Sequence, residues 1–261
     1  MMLKDKVAVI YGASGDVGGA TARAFAREGA RVFLAARRRE PLEALAKEIV
    51  AAGGKAEAAP VDALDGAAVE KHAEMISAKA GGIDISFNAI ERNAPQGTPV
   101  IDMKVEEFSL PLEAAAQTHF FTGTSAARQM RKKRSGVILA ITANVAKTAA
   151  ANTGAFGVTC AMIEGICRQL AVEFGPLGIR VICLRSGGSP DTRGVGEVQK
   201  LHSKIAGITP EELEARWTKD IPLRRLSRVG EVANAAVLMA SDYASAMTAE
   251  VANLTCGALQ D

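Results

Sequence analysis

Cysteine is scarce: four residues in a chain of 261, at positions 160, 167, 183 and 256. That is too few for a disulfide framework at this length, and no pair has C-x-x-C spacing. Long apolar runs are also wanting; no stretch reads as approaching the ~20 residues of a membrane span. An excess of charge of either sign is missing, since 31 basic and 29 acidic residues leave +2. No strong field for nucleic acid or an anionic membrane follows from that balance. The N-terminus, Met1-Met2-Leu3-Lys4-Asp5-Lys6, carries charges where a signal peptide needs its apolar stretch. Internal repeats, low-complexity segments and His/Cys/Asp/Glu clusters of metal-ligand spacing are absent as well. The expectation is a cytoplasmic protein with free thiols and no nucleic-acid, membrane or metal partner.

What is present is ordinary globular composition, 48% hydrophobic and 23% charged, which excludes a disordered or collagen-like chain. No composition shift marks a boundary, so residues 1–261 are expected to form a single domain. Short β-rich runs alternate with helical patterns. Strands are predicted at Lys6–Tyr11, Arg31–Ala36, Ala56–Val61, Ile83–Asn88, Val137–Thr142 and Ile179–Leu184. Helices are predicted from the first glycine turn to Glu28, then over Pro41–Ala52, Gly66–Ala80, Val105–Arg134 and Phe156–Phe174. This alternation implies an α/β fold with a parallel sheet and crossover helices. Near-continuous apolar strands suit a sheet covered on both faces. Arg185–Ile221 breaks the rhythm. It reads as a Gly/Ser/Pro-rich loop, helical only around Glu211–Trp217, and a loop of that length is usually a functional lid. The run Met130–Arg134 (MRKKR) reads as cations closing a helix, where they favour its dipole.

The first strand ends in Tyr11-Gly12-Ala13-Ser14-Gly15-Asp16-Val17-Gly18-Gly19, which opens a helix. Glycines there allow a sharp turn and close approach to a phosphate, and the helix N-terminus offers free N–H groups. The pattern is informative because it follows a strand and precedes a helix. The alternative is a turn that binds nothing. The second strand runs into Ala35-Ala36-Arg37-Arg38-Arg39, with no acid before Glu40. An acid there suits the ribose hydroxyls of NAD, whereas Arg37 or Arg38 suits a 2′-phosphate and therefore NADP(H).

Along essentially its whole length the chain resembles the short-chain dehydrogenase/reductase family. The landmarks are Gly12…Gly18, Asp62, Asn88-Ala89, Glu164-Gly165 and Leu170-Ala171-Val172-Glu173. Gly178-Ile179-Arg180-Val181, Ser241-Asp242 and Ala249…Gly257 complete the match. The resemblance implies a single Rossmann-type, doubly wound domain with a seven-stranded parallel sheet flanked by helices. It also implies a small-molecule substrate and a homo-oligomer, tetramer or dimer. The implied cofactor contacts begin with Gly12, Ser14, Gly15, Asp16, Val17 and Gly18 at the turn. Asp62 and Ala63 follow, with Asp62 at the adenine, then Asn88 and Ala89 at the adenosine ribose and Ile90 beside the nicotinamide ribose. Thr142 and Cys160 belong to the same set, as do Ser186 and Gly187 on the nicotinamide side.

The family's catalytic residues do not carry over. Anchored on Ile163-Glu164-Gly165, the tyrosine position falls on Phe156, the lysine on Cys160 and the serine on Ala143. The asparagine of the preceding helix falls near Ala115. The chain has only two tyrosines, Tyr11 and Tyr243, and neither is followed by a lysine at a family spacing. The tyrosine's proton transfer is worth roughly 10²–10⁴-fold, and such a set fails as a unit. The turn departs too: Asp16 replaces a glycine, where its carboxylate opposes a diphosphate unless it turns away or caps the helix. Ile90 replaces a glycine beside the nicotinamide ribose.

Candidate substitutes are few. Thr142 and Asn144 flank the lost serine, with backbone capping as the plainer role. His119 lies one turn beyond the missing asparagine and is a candidate proton donor, or simply a packed histidine. Cys160 needs a lowered pKa to act as a nucleophile and otherwise packs as a small apolar residue. Lys147 reads as a loop lysine. Trp217 and Leu201 read as apolar walls of the lid. Three functions stay open: an NADPH-dependent reductase of imines or activated alkenes, a non-catalytic homologue that senses nucleotide or partners another subunit, and non-redox chemistry in the cleft.

Overall fold

Val7–Tyr11 are buried throughout and form strand β1. A strand apolar on both faces needs cover on both, and the rest of the chain supplies it. The computed structural model describes residues 1–91 and 94–260. Its elements run β1 (Val7–Tyr11), α1 (Asp16–Arg27), β2 (Arg31–Ala36), α2 (Arg39–Ala51), β3 (Lys55–Pro60), α3 (Gly66–Ala80), β4 (Ile85–Asn88), α4 (Val105–Met130), β5 (Gly136–Ala143), α5 (Ala155–Phe174), β6 (Ile179–Ser186), α6 (Arg193–Ala206), α7 (Pro210–Thr218), α8 (Val229–Ala240) and β7 (Glu250–Leu254). The seven strands make one sheet in the order β3-β2-β1-β4-β5-β6-β7. Every pairing is parallel. This is the doubly wound arrangement expected of the sequence.

Side chains alternate along β1 as the pleat requires. Ala8 and Ile10 join Phe25, Leu42 and Val232 in the core under α1, α2 and α8. Val7, Val9 and Tyr11 join Ile76, Met130 and Ile163 under α3, α4 and α5. Each large apolar side chain removed from water contributes about 1.5–3 kcal/mol.

Three readings of the sequence need correction here. The stretch Ala155–Leu177 is long and apolar enough, by length and composition, to cross a membrane. It is apolar because α5 lies against the sheet, where Cys160 and Ile163 have no exposure. The segment read as a long loop contains α6, capped by the Thr192 hydroxyl on the Val195 N–H and closed by Gly207 at φ 65°. Helix α4 also stops at Met130, so the basic run Arg131–Arg134 lies in the turn beyond it, where Arg134 has φ 51°.

Candidate functional site

Parallel pairing places the C-terminal ends of all strands along one edge of the sheet. The chain leaves β3 and re-enters at β4 on the other side of β1, so β1 and β4 flank the point where strand order reverses. Ligands of open α/β sheets bind in the crevice outside that point. Here the crevice holds two adjoining cavities.

The first, about 640 Å³, lies over the ends of β1, β2 and β3. Its walls include Gly12, Ser14, Gly15, Arg37, Arg38, Asp62 and Ala63, as read from the sequence. Gly12 has φ 79°, and a Cβ there would sit 2.6 Å from the Ala89 carbonyl oxygen. Gly18 does not line the cavity. A Cβ on it would fall 2.4 Å from the Gly12 carbonyl oxygen, so its role is to let α1 pack onto the turn. Gly15 is the N-cap of α1 and supplies no side-chain cap. The N–H groups of the first turn therefore have no intrahelical or side-chain acceptor. The Asp62 carboxylate accepts from the Leu64 N–H at 3.0 Å.

The second cavity, about 790 Å³, lies over the ends of β4, β5 and β6 and under α6 and α7. Asp16, Val17, Ala89, Thr142, Ala143, Asn144, Phe156, Ser186 and Gly187 line it, with Trp217 among its apolar walls. Ala143 and Phe156, the positions to which the family resemblance assigns a serine and a tyrosine, thus meet at one cavity. Gly15, Ile90, Glu91 and Arg193 line both cavities and mark their junction.

Several expected site residues lie elsewhere. Cys160 is fully buried and lines neither cavity. Asn88 is buried, donates to the Thr122 hydroxyl at 3.2 Å and accepts from the Ile90 N–H at 3.1 Å. It shapes the strand end and does not face the crevice. His119 is buried in α4, where Nδ1 donates to the Ala115 carbonyl at 2.8 Å. It lines the first cavity, away from Ala143 and Phe156. Leu201 packs toward Gly97, outside both cavities. The Thr142 hydroxyl donates to Glu164 Oε1 at 3.0 Å. Glu164 also receives Arg185 Nε and Nη2 at 2.8 and 2.7 Å in a buried fork. The hydroxyl proton of Thr142 is therefore committed to the protein. Asn144 is the candidate left at the cavity wall.

Of the two outcomes anticipated for Asp16, turning away or capping the helix, the structure shows the first. Asp16 is the first residue of α1, and its Oδ2 accepts from the Arg193 N–H at 2.9 Å. The carboxylate has turned from the glycine turn to the N-terminus of α6, where an anion is favoured. Sequence reading missed Arg193, Glu91 and His202. His202 Nε2–H donates to Gln96 Oε1 at 3.1 Å across the larger cavity, and burial lowers its pKa. Thr192 and Gly207 were the available signals for α6; nothing local links it to Asp16. Among the described residues, no group of three His, Cys, Asp or Glu side chains is placed to hold a metal ion.

Comparisons with known proteins agree with the fold. A family model described as enoyl-(acyl carrier protein) reductase matches residues 12–258. The 7alpha-hydroxysteroid dehydrogenase of Escherichia coli (strain K12) is 27% identical over 262 residues, spanning 100% of this chain and 97% of that protein. A solved 7 alpha-hydroxysteroid dehydrogenase complexed with NADH and 7-oxo glycochenodeoxycholic acid superposes with a TM-score of 0.85 at 28% identity, covering 99% of this chain and 96% of that one. An NAD⁺-bound xylitol dehydrogenase superposes with a TM-score of 0.92 at 23% identity, covering 98% and 100%.

Proposed function

The chain belongs to the short-chain dehydrogenase/reductase family, and from that premise we propose that it is an NADP(H)-dependent reductase of imines or strongly activated alkenes. The observation that carries the cofactor is the wall of the smaller cavity. Arg37 and Arg38 line it, and no acid follows β2 before Glu40. A guanidinium fork pairs with a 2′-phosphate, where a carboxylate would repel it. The uncapped N–H groups at the start of α1 suit a diphosphate. Asp16 does not oppose one, because its carboxylate is engaged by α6. This reading treats residues 1–261 as one domain with the segment of about 185–222 as its lid.

When bound, the nicotinamide supplies a hydride. The chain supplies a largely apolar chamber whose reacting wall holds Phe156 and Ala143 where the family carries its tyrosine and serine. Neither side chain has a proton to give. A ketone needs that proton on its oxygen, whereas an iminium carbon accepts hydride and becomes a neutral amine without it. Asn144 lines the same wall and is the side chain placed to orient a substrate there. The proposal extends to a homo-oligomer, dimer or tetramer, formed through the exposed apolar side chains of α4 and α5.

Titration with NADPH and NADP⁺, beside Arg37→Ala, tests the cofactor. Micromolar binding that weakens about tenfold in the variant is the expected result. NADPH oxidation over a panel of cyclic imines, enones and ketones tests the chemistry, with turnover expected for the first two classes. Binding without turnover on any of them favours the non-catalytic homologue. No binding at millimolar cofactor ends the reductase reading.

A further inference from the structure

Asp16 and Arg193 stand 177 residues apart in sequence and meet across the mouth of the crevice. The Asp16 carboxylate accepts from the main-chain N–H of Arg193, in the first turn of α6. That bond fixes the start of α6 beside the glycine turn, and Arg193 lines both cavities at their junction. Among the described residues, no carboxylate pairs with its guanidinium, although Glu91 shares the junction. A dinucleotide lying across both cavities must pass its diphosphate through this junction, beside the free N–H groups of α1.

We propose that Asp16 and Arg193 form a clasp, in which Asp16 anchors α6 and Arg193 binds the cofactor's diphosphate. The inference rests on the dinucleotide reading above and deepens it. A carboxylate at position 16 would by itself weaken diphosphate binding. Directed at α6, it instead brings a compensating cation to the same place. Guanidinium–phosphate pairs are strong, charge-assisted and geometrically selective, so Arg193 contributes to affinity only for ligands that carry the diphosphate bridge. The two residues therefore act as a pair, and the value of each depends on the other.

Calorimetry with two probes tests this on the full chain. NADPH carries the diphosphate; adenosine 2′-monophosphate keeps the 2′-phosphate and lacks both bridging phosphates. Arg193→Gln is expected to weaken NADPH about ten- to hundredfold and to leave the 2′-monophosphate within twofold. Asp16→Ala is expected to weaken NADPH severalfold and to raise amide exchange in the first turn of α6. The double variant should lose little beyond Arg193→Gln. Equal weakening of both probes by Arg193→Gln, or unchanged NADPH binding, overturns the clasp while the cofactor reading stands. Tighter NADPH binding by Asp16→Ala overturns the anchoring role. Binding of neither probe to the unaltered protein removes the cofactor reading and the clasp with it.

Discussion

His72 shows how much a single side chain can hold against its ordinary chemistry. It sits in α3, 5% exposed, with its ring edge-on to Tyr11 at 6.1 Å. Among the described residues neither ring nitrogen has a hydrogen-bond partner. Burial lowers its pKa from 6.5 to about 4. The folded chain thus binds fewer protons at this site than the unfolded chain between those values. Stability is complete above about pH 6.5, falls as the pH drops through that window, and loses nothing more from this group below about pH 4. The loss attributable to His72 at pH 4.5 is about 2–3 kcal/mol. Urea unfolding of His72→Phe at pH 7.5 and 4.5 checks it: the variant should lose less on acidification by that amount. An equal loss in both proteins would remove His72 as the cause. Gly18 is constrained in the opposite way, by space. A methyl group there meets the Gly12 carbonyl at 2.4 Å and the Ala13 Cα at 2.9 Å, both backbone. Gly18→Ala should cost about 1–3 kcal/mol by the overpacking it forces. It should also weaken NADPH, because the turn must open; unchanged melting and binding would contradict this.

Between elements, the Glu164–Arg185 fork ties α5 to β6 beneath the site. Both side chains are 6% exposed, and Thr142 on β5 adds a third bond to the same carboxylate. A buried pair gains little over an apolar pair of similar volume, but leaving one charge alone is severe. Glu164→Gln and Arg185→Met should each cost about 3–5 kcal/mol in urea unfolding, whereas Glu164→Leu with Arg185→Met should recover most of that loss. A double variant as weak as the singles would mean that the pair does more than balance charge. These elements also show what was readable in the chain. Gly66–Ala80 is bounded by an Asp65 side-chain cap and by Gly81 at φ 80°, both local signals, and its bounds match the sequence reading. β2 matches equally, because its apolar run ends at charged residues on each side. Helix α6 escaped because Gly194 and Gly196 lower its propensity, although its apolar positions Val195, Val198, Leu201 and Ile205 follow helical spacing. The crevice was legible wherever a residue ends or follows a strand, as with Arg37, Asp62 and Ser186. Arg193 was not, since its place depends on a tertiary bond to Asp16, and Cys160 was misassigned because family position says nothing of which face a new side chain turns inward.

For the whole molecule, the homo-oligomer proposed above turns on exposed apolar residues of α4 and α5. These helices pack along one another on one face of the sheet. Phe120 on α4 is 54% exposed, and Val158 and Val172 on α5 are 45% and 72% exposed. Scattered apolar residues are normal on a protein surface; the proposed oligomer would gather these into one interaction face. A second copy is the simplest occupant, because a two-fold axis lets the same patch cover itself. Sedimentation at micromolar concentration should then give a mass at least twice 27.2 kDa. Phe120→Asp with Val172→Asp should return it to the single-chain value, since each carboxylate would be buried unpaired in the interface. The substitutions face solvent in the single chain, so circular dichroism should be unchanged by them. A 27.2 kDa species for the unaltered protein would leave these residues as ordinary surface. An oligomer that survives both substitutions would place the interface on another face. If the crevice is shaped within one chain, the dissociated variant should still bind NADPH with an affinity close to that of the parent. A large loss would mean instead that assembly holds α4 and α5 in the positions from which they support the cavity.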